Sequence, residues 1–336
     1  MEHPTPRRVA VLAGGYSGEA AVSLKSASMV LAHMDRALFA PVLIHIDVEG
    51  WWCERPSDGM RVPVDQHTFS FATAKGDTWA PESAFVIVHG TPGEDGILQR
   101  SLEAARIPHT TASSAVMALT FHKGQTTRTL REAGLPVAAS AEVAPGETWD
   151  DQRQRDVLAQ LGLPVFVKPN EAGSSLGISK VNNAAALWPA VDAARKEDGG
   201  SVLVEANLNG REFTCGVIPD GAGGLQVLPV TEILTENEFF DYAAKYEGQS
   251  QEITPAALEE RDTAQLQSTA LRVYNALDLR GMARVDMMMV PGEAAHVIEI
   301  NGVPGFSEAS IVPQQAAAIG LDKRALVTRL LQAATL

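Results

Sequence analysis

The chain has 336 residues, 45% of them hydrophobic and 20% charged, and carries a formal net charge of −14. That length suits two or three domains with a large core. The acidic balance argues against a general nucleic-acid or anionic-membrane binder, because phosphate recognition needs a basic surface, so any anionic ligand must be held by local cationic groups.

After Arg7-Arg8 the apolar run Val9–Ala13 meets Gly14-Gly15, too soon for a secretory signal. No stretch approaches the roughly 18 apolar residues that span a bilayer. Cys53 and Cys215 lack the spacing of a disulfide framework or a metal site and read as reduced, packed thiols. A cytoplasmic protein is expected.

Residues 9–13 (VAVLA) read as a buried strand, followed by a glycine loop, a helical pattern through SLKSASMVLAHM, and the strands PVLIHIDV and AFVIVHG. This βαβ punctuation implies a parallel sheet whose ligands sit at the carboxyl ends of its strands, where the loops after Ala13 and His89 lie. One helical segment is expected over 113–137, and DDQRQRDVLAQLGLP reads as another helix, ended by Gly162 and Pro164. PVFVKP and LGISKV read as strands joined by a Gly-Ser loop, with VLVEANL as a third strand. Strands EFTCGVI and LQVLPVTEI follow, then a polar and aromatic stretch over 236–256, a long helix over 257–277, a hairpin and a closing helix. The expected division is into three α/β or α+β domains covering 1–112, 113–206 and 207–336.

Several stretches carry chemistry. In AGGYSGEAAVSL, glycines after a strand bring backbone N–H groups close to a ligand at a helix N-terminus, where Glu19 could hold an ammonium group or simply cap its helix. The near match Ala13-x-Gly15-x-x-Gly18 to a dinucleotide fingerprint lacks its first glycine and has no acid closing the next strand, which weighs against a nicotinamide-dependent dehydrogenase. HGTPGEDGILQ reads as a polar turn, with His89 packed rather than catalytic.

VKPNEAGSSLGISKV is more informative. Lys168 precedes the glycines and strands flank the loop, which rules out a P-loop; a strand lysine with a Gly173-Ser174-Ser175-x-Gly177 flap is an arrangement that covers nucleotide phosphates. Glu205 and Glu212 flank a connection where a carboxylate suits a ribose or an adenine amino group, a solvated acid being the alternative. ENEFFDYAAKYEGQSQEITP, with Lys245, suits a lid over a ligand or a packed surface loop.

In ARVDMMMVPGEAAHVIEIN, alternation around Pro291-Gly292-Glu293 predicts a hairpin that sets Asp286 within about a residue of facing Glu299. Arg284 shares a face with Asp286, and Glu299 with Asn301. Two carboxylates and an amide on one face suit Mg²⁺ shared with phosphates, and a salt bridge from Arg284 is the competing reading.

Taken in order, GGYSGEAAVSLKSA, HGTPGEDG, VKPNEAGSSLG, REFTCGV, NEFFDYAAKY, ARVD and EINGVPGF resemble the signatures of the D-alanine:D-alanine ligases, members of the ATP-grasp superfamily, over nearly the whole chain. The resemblance implies an N-terminal Rossmann-like domain, a central ATP-grasp domain with the flap, and a C-terminal ATP-grasp domain with lid and metal site. It implies a homodimer that joins two D-alanines for peptidoglycan while splitting ATP, with no nucleic-acid or membrane partner.

By the same resemblance Lys123, Lys168 and Lys245 contact ATP phosphates, Ser174 and Ser175 belong to the flap, Glu205 holds adenine and Glu212 the ribose. Asp286, Glu299 and Asn301 bind two Mg²⁺ or Mn²⁺ ions. Glu19 holds the ammonium of the first D-alanine, Arg284 and the Gly305 N–H face its carboxylate, and Ser310 holds the carboxylate of the second; Glu19, Ser174 and Tyr246 close the lid. The chain departs from the pattern at Ala20 and Ala21, where charged residues are common, at Gly302, where threonine is usual, and at Glu308. A ligase for another amino-acid pair, D-alanine with D-serine or a secondary-metabolite substrate, is the alternative.

Overall fold

A computed structural model describes residues 5–173, 176–198, 200–235 and 250–336. The first sheet centres on β1 (Arg7–Gly14), which pairs in parallel with β2 (Phe39–Ile46) on one side and β7 (Ser83–Val86) on the other. Residues Val9 to Ala13 are wholly buried, as a strand covered on both faces requires. The helix α1 (Ala20–His33) returns the chain from β1 to β2, packing Ala27, Met29 and Val30 inward.

The sheet is not wholly parallel. β3 (Trp52–Glu54) and β4 (Arg61–Pro63) extend it antiparallel past β2, joined by a loop over 55–60 that the Arg55 N–H closes onto the Met60 carbonyl, with the Arg61 guanidinium 4.0 Å over the Trp52 ring. β5 (Phe71–Ala72) and β6 (Thr78–Trp79) form a separate ribbon before β7, and α2 (Ile97–Ala104) follows it. Both cysteines are buried and unpaired.

The single helix expected over 113–137 is two, α3 (Ser114–Phe121) and α4 (Lys123–Glu132). His122 leaves the helical region at φ −90°, ψ 97°, and its ring nitrogen Nδ1 accepts from the Gln125 N–H at 3.2 Å, capping the second helix. The break sets Lys123 in the first turn of α4.

The second sheet is antiparallel, in the order β10-β9-β11-β8, from β8 (Ser140–Val143), β9 (Val165–Pro169), β10 (Ser179–Val181) and β11 (Val202–Ala206). The expected Gly-Ser connection joins β9 to β10. Helices α5 (Asp151–Leu161) and α6 (Leu187–Asp198) belong to this part of the chain; α5 ends at Gly162, whose φ of +74° only glycine adopts freely. Val165, Val167, Val191 and Val204 lie in its own core.

The third sheet runs β14-β13-β12-β15-β16, from β12 (Arg211–Pro219), β13 (Leu225–Thr235), β14 (Ser250–Ile253), β15 (Ala283–Met289) and β16 (His296–Asn301), with α7 (Glu260–Ala276) packed on it. Asp286 faces Glu299, within the residue that the alternation allows, and Arg284 faces Asn301, the register being shifted by a bulge between Asp286 and Met287. The closing helix is again two, α8 (Ile311–Ala318) and α9 (Lys323–Gln332). Gly320 at φ +75° breaks the run, and the Asp322 carboxylate accepts from the Ala325 N–H at 2.7 Å to restart it.

One core cluster runs from Val9, Val11 and Val30 of the first sheet and its helix through Phe85 to Phe306, Val312 and Leu330 near the chain end. The Phe85 and Phe306 rings tilt together at 5.8 Å. This packing brings the carboxyl ends of β1 and β7 against the loop that leaves β16, and the site lies along that seam.

Candidate active site

Two adjoining cavities meet at Glu299. The first, of ≈ 310 Å³, is walled by Glu19, Lys123, Arg284, Asn301, Gly305 and Ser310. The second lies between the middle and third sheets, where Lys168, Glu205, Glu212 and Asp286 share a slot with apolar Phe166 and Met288. Every site residue expected from the sequence that is described here thus falls in one of the two cavities. Ser174, Ser175, Lys245 and Tyr246 lie outside the described residues.

Glu19 occupies the N-cap of α1 but makes no side-chain cap hydrogen bond, so its carboxylate is not spent on its own helix. It turns toward the flap: a methyl on Gly173 would come within 2.9 Å of its Oε2. Lys123 reaches the same region, its Nζ donating to the Ala172 carbonyl at 2.6 Å.

In the second cavity Lys168 Nζ and Glu205 Oε2 pair at 2.5 Å, with Glu205 only 7% exposed. Burial works against the ammonium, but Glu205, with Glu299 and Glu212 farther off, lifts its pKa above the usual lysine value, so it stays charged. A cation beside an apolar slot lined by acids suits a nucleotide, its phosphates at Lys168 and its base and sugar at the acids.

The hairpin forms the shared wall. Arg284 makes a bidentate pair with Asp286, Nε to Oδ1 and Nη2 to Oδ2, both at 2.8 Å. The same carboxylate accepts from Thr214 Oγ1 at 2.5 Å and from Asn301 Nδ2 at 2.9 Å. Burial opposes the Arg284 charge, and Asp286 outweighs it and raises the pKa further. The salt bridge weighed against the metal reading is therefore formed, and it runs to Asp286.

Among the described residues no three His, Cys, Asp or Glu side chains gather to hold a metal ion. The hairpin offers two carboxylates and an amide on facing strands, beside the nucleotide-shaped slot. Asn301 turns its N–H toward Asp286, leaving its amide oxygen as an available ligand type. An all-oxygen set with few protein ligands fits a hard divalent cation that completes its shell with phosphate and water.

His89, read from the sequence as packed, is buried at 4% exposure, and with Glu94, which sequence reasoning did not single out, it also walls the first cavity. Their position at the carboxyl end of a parallel strand was the available signal, overridden by the turn-like composition of HGTPGEDG. His89 is held neutral by burial, against the pull of Glu19. Glu94 is pushed up to about 8, first by burial and then by neighbouring Glu19.

A carboxyl raised from an ordinary 4.5 to about 8 keeps in the fold a proton that the unfolded chain releases. Stability should therefore fall as pH rises through that window and level off above it. Glu94→Gln should remove this slope, and thermal melts without nucleotide should show the variant gaining on the unmodified protein between about pH 5 and pH 8. Parallel melting curves across that range would contradict the assignment.

Facing carboxylates between a slot that suits a nucleotide and a small polar pocket fit one class, an ATP-using, bond-forming enzyme, and the comparisons with known proteins agree. Family models described as D-ala D-ala ligase N-terminus and C-terminus match residues 8–112 and 129–332. The D-alanine--D-alanine ligase of Flavobacterium johnsoniae is 38% identical over 97% of this chain and 98% of its own length. Among solved structures, the VanG D-Ala:D-Ser ligase from Enterococcus faecalis superposes with a TM-score of 0.87 at 29% identity, covering 98% of this chain and 99% of that one. The D-alanine--D-alanine ligase from Bacillus anthracis complexed with ATP gives 0.77 at 26% identity, over 97% of each chain. The chain belongs to the D-alanine–D-alanine ligase family. No helix among the described residues is long and apolar enough to cross a membrane.

Proposed function

We propose that this protein is an ATP-dependent ligase that joins two D-alanines into D-alanyl-D-alanine through an acyl phosphate, supplying peptidoglycan synthesis. The observation that carries the reading is Glu299 in the wall of both cavities: nucleotide phosphates entering from one and an amino-acid carboxylate from the other meet at the Asp286, Glu299 and Asn301 hairpin. ATP is a substrate here. Two Mg²⁺ or Mn²⁺ ions at that hairpin would neutralise charge gathering between phosphate and carboxylate.

The chain's own residues do the rest. Lys123 and Lys168, with Lys245 by resemblance, hold the phosphates; Glu205 and Glu212 take the adenine and ribose. Ser174 and Ser175 supply flap contacts by the same resemblance. Glu19 orients the ammonium of the first D-alanine. A free carboxylate is a poor acyl donor, so transfer of the γ-phosphoryl group gives it a good leaving group. The amine of the second D-alanine, its carboxylate held at Ser310 beside the N-terminus of α8, then attacks. The developing oxyanion faces Arg284 and the Gly305 N–H. Closure of Glu19, Ser174 and Tyr246 keeps water from the acyl phosphate.

The domain division at 112 and 206, a homodimer and a cytoplasmic location complete the reading. Mass spectrometry of the product from an equimolar mixture of D-alanine, D-serine and D-lactate with Mg²⁺-ATP tests the substrate. D-Alanyl-D-alanine should dominate; a predominant mixed product would move the assignment to another amino-acid pair.

A further inference from the structure

The loop over residues 302–310, between β16 and α8, carries both Gly305 and Ser310, yet the groups that hold its backbone come from the other end of the chain. His89 Nδ1 donates to the Val303 carbonyl at 2.9 Å. Facing a carbonyl oxygen, that nitrogen carries the proton, so Nε2 accepts, and the Ser26 hydroxyl donates to it at 3.3 Å. Ser26 Oγ in turn accepts from the Phe306 N–H at 3.2 Å. Glu94 completes the grip, accepting from the N–H groups of Gly90 and Val303. Ser26 is fully buried and His89 only 4% exposed, so water does not substitute for these bonds.

The two anchored residues bracket Gly305, two positions before it and one after. We propose that Ser26, acting through His89, is a positioning residue: it fixes the 302–310 loop so that the Gly305 N–H points at the reacting carboxylate. The inference rests on the ligase reading above and adds a residue that touches no substrate. The helix α1 thereby serves the site twice, through Glu19 at its start and through Ser26 on its buried face. The nucleotide slot draws none of its walls from this network, so aim of the oxyanion donor and affinity for ATP are separable.

The test is Ser26→Ala against Ser26→Thr, which keeps the hydroxyl, assayed by D-alanine-dependent phosphate release with amide hydrogen exchange as a second readout. Ser26→Ala should lower kcat about 10- to 100-fold, the scale of a misaimed rather than deleted donor, with KM for ATP unchanged. Exchange protection at Phe306 should fall, and Ser26→Thr should recover most of both. Wild-type kcat in a folded Ser26→Ala protein would overturn the proposal, as would a folded Ser26→Thr protein no better than Ser26→Ala. An inactive unmodified protein would instead mark failure of the ligase reading.

Discussion

Glu299→Gln should abolish turnover, with a loss beyond about 10³-fold in phosphate release, while the protein stays folded. The side chain is isosteric and β16 keeps its register through backbone bonds to β15, so the hairpin does not depend on the lost charge. What disappears is an anionic oxygen at the junction of the two cavities, where the divalent ion would be shared with phosphate. The check pairs an activity assay with thermal melting and with Mn²⁺ affinity measured by electron paramagnetic resonance. Weakened Mn²⁺ binding with an unchanged melt is expected; normal turnover would return Glu299 to a merely structural acid.

The second large effect is at Arg284. Arg284→Lys should cost about 10²-fold or more in kcat, because lysine offers a point charge where the guanidinium fork meets both Asp286 oxygens. Lysine is the sharper test than alanine: truncation would strand a partly buried carboxylate, at a stability cost of about 3–5 kcal/mol, and confuse folding with chemistry. KM for ATP should change little, since the guanidinium lines the first cavity and not the nucleotide slot. Stopped-assay kcat and KM values for ATP and D-alanine would show the split. A Lys variant with unchanged kcat would remove Arg284 from the reacting centre.

Much of this was legible in the sequence because period-two alternation fixes which side chains share a strand face. The sharing of one face by Arg284 and Asp286, and the placing of Asp286 within about a residue of Glu299, follow from the alternating arms around Pro291-Gly292-Glu293; the exact register, set by a bulge between Asp286 and Met287, does not. Lys168 was legible because it stands on a strand ahead of the Gly-Ser flap; its 2.5 Å pairing with Glu205 was not. The breaks at His122 and Gly320 were not, since a histidine that leaves a helix to cap the next one carries no periodic signal. Nor were Ser26, His89 and Glu94, whose importance lies in bonds to Val303 and Phe306 more than two hundred residues away in the chain. Such long-range backbone grips are properties of packing, and local composition made HGTPGEDG look like an ordinary turn.

The central claim is that the two cavities pass a phosphoryl group from ATP to an amino-acid carboxylate at the hairpin between them. Phosphate release by the purified protein with Mg²⁺-ATP, measured with and without D-alanine, tests it most directly. D-Alanine should stimulate release strongly, one phosphate for each dipeptide formed, while L-alanine should not; release unaffected by D-alanine would contradict the account.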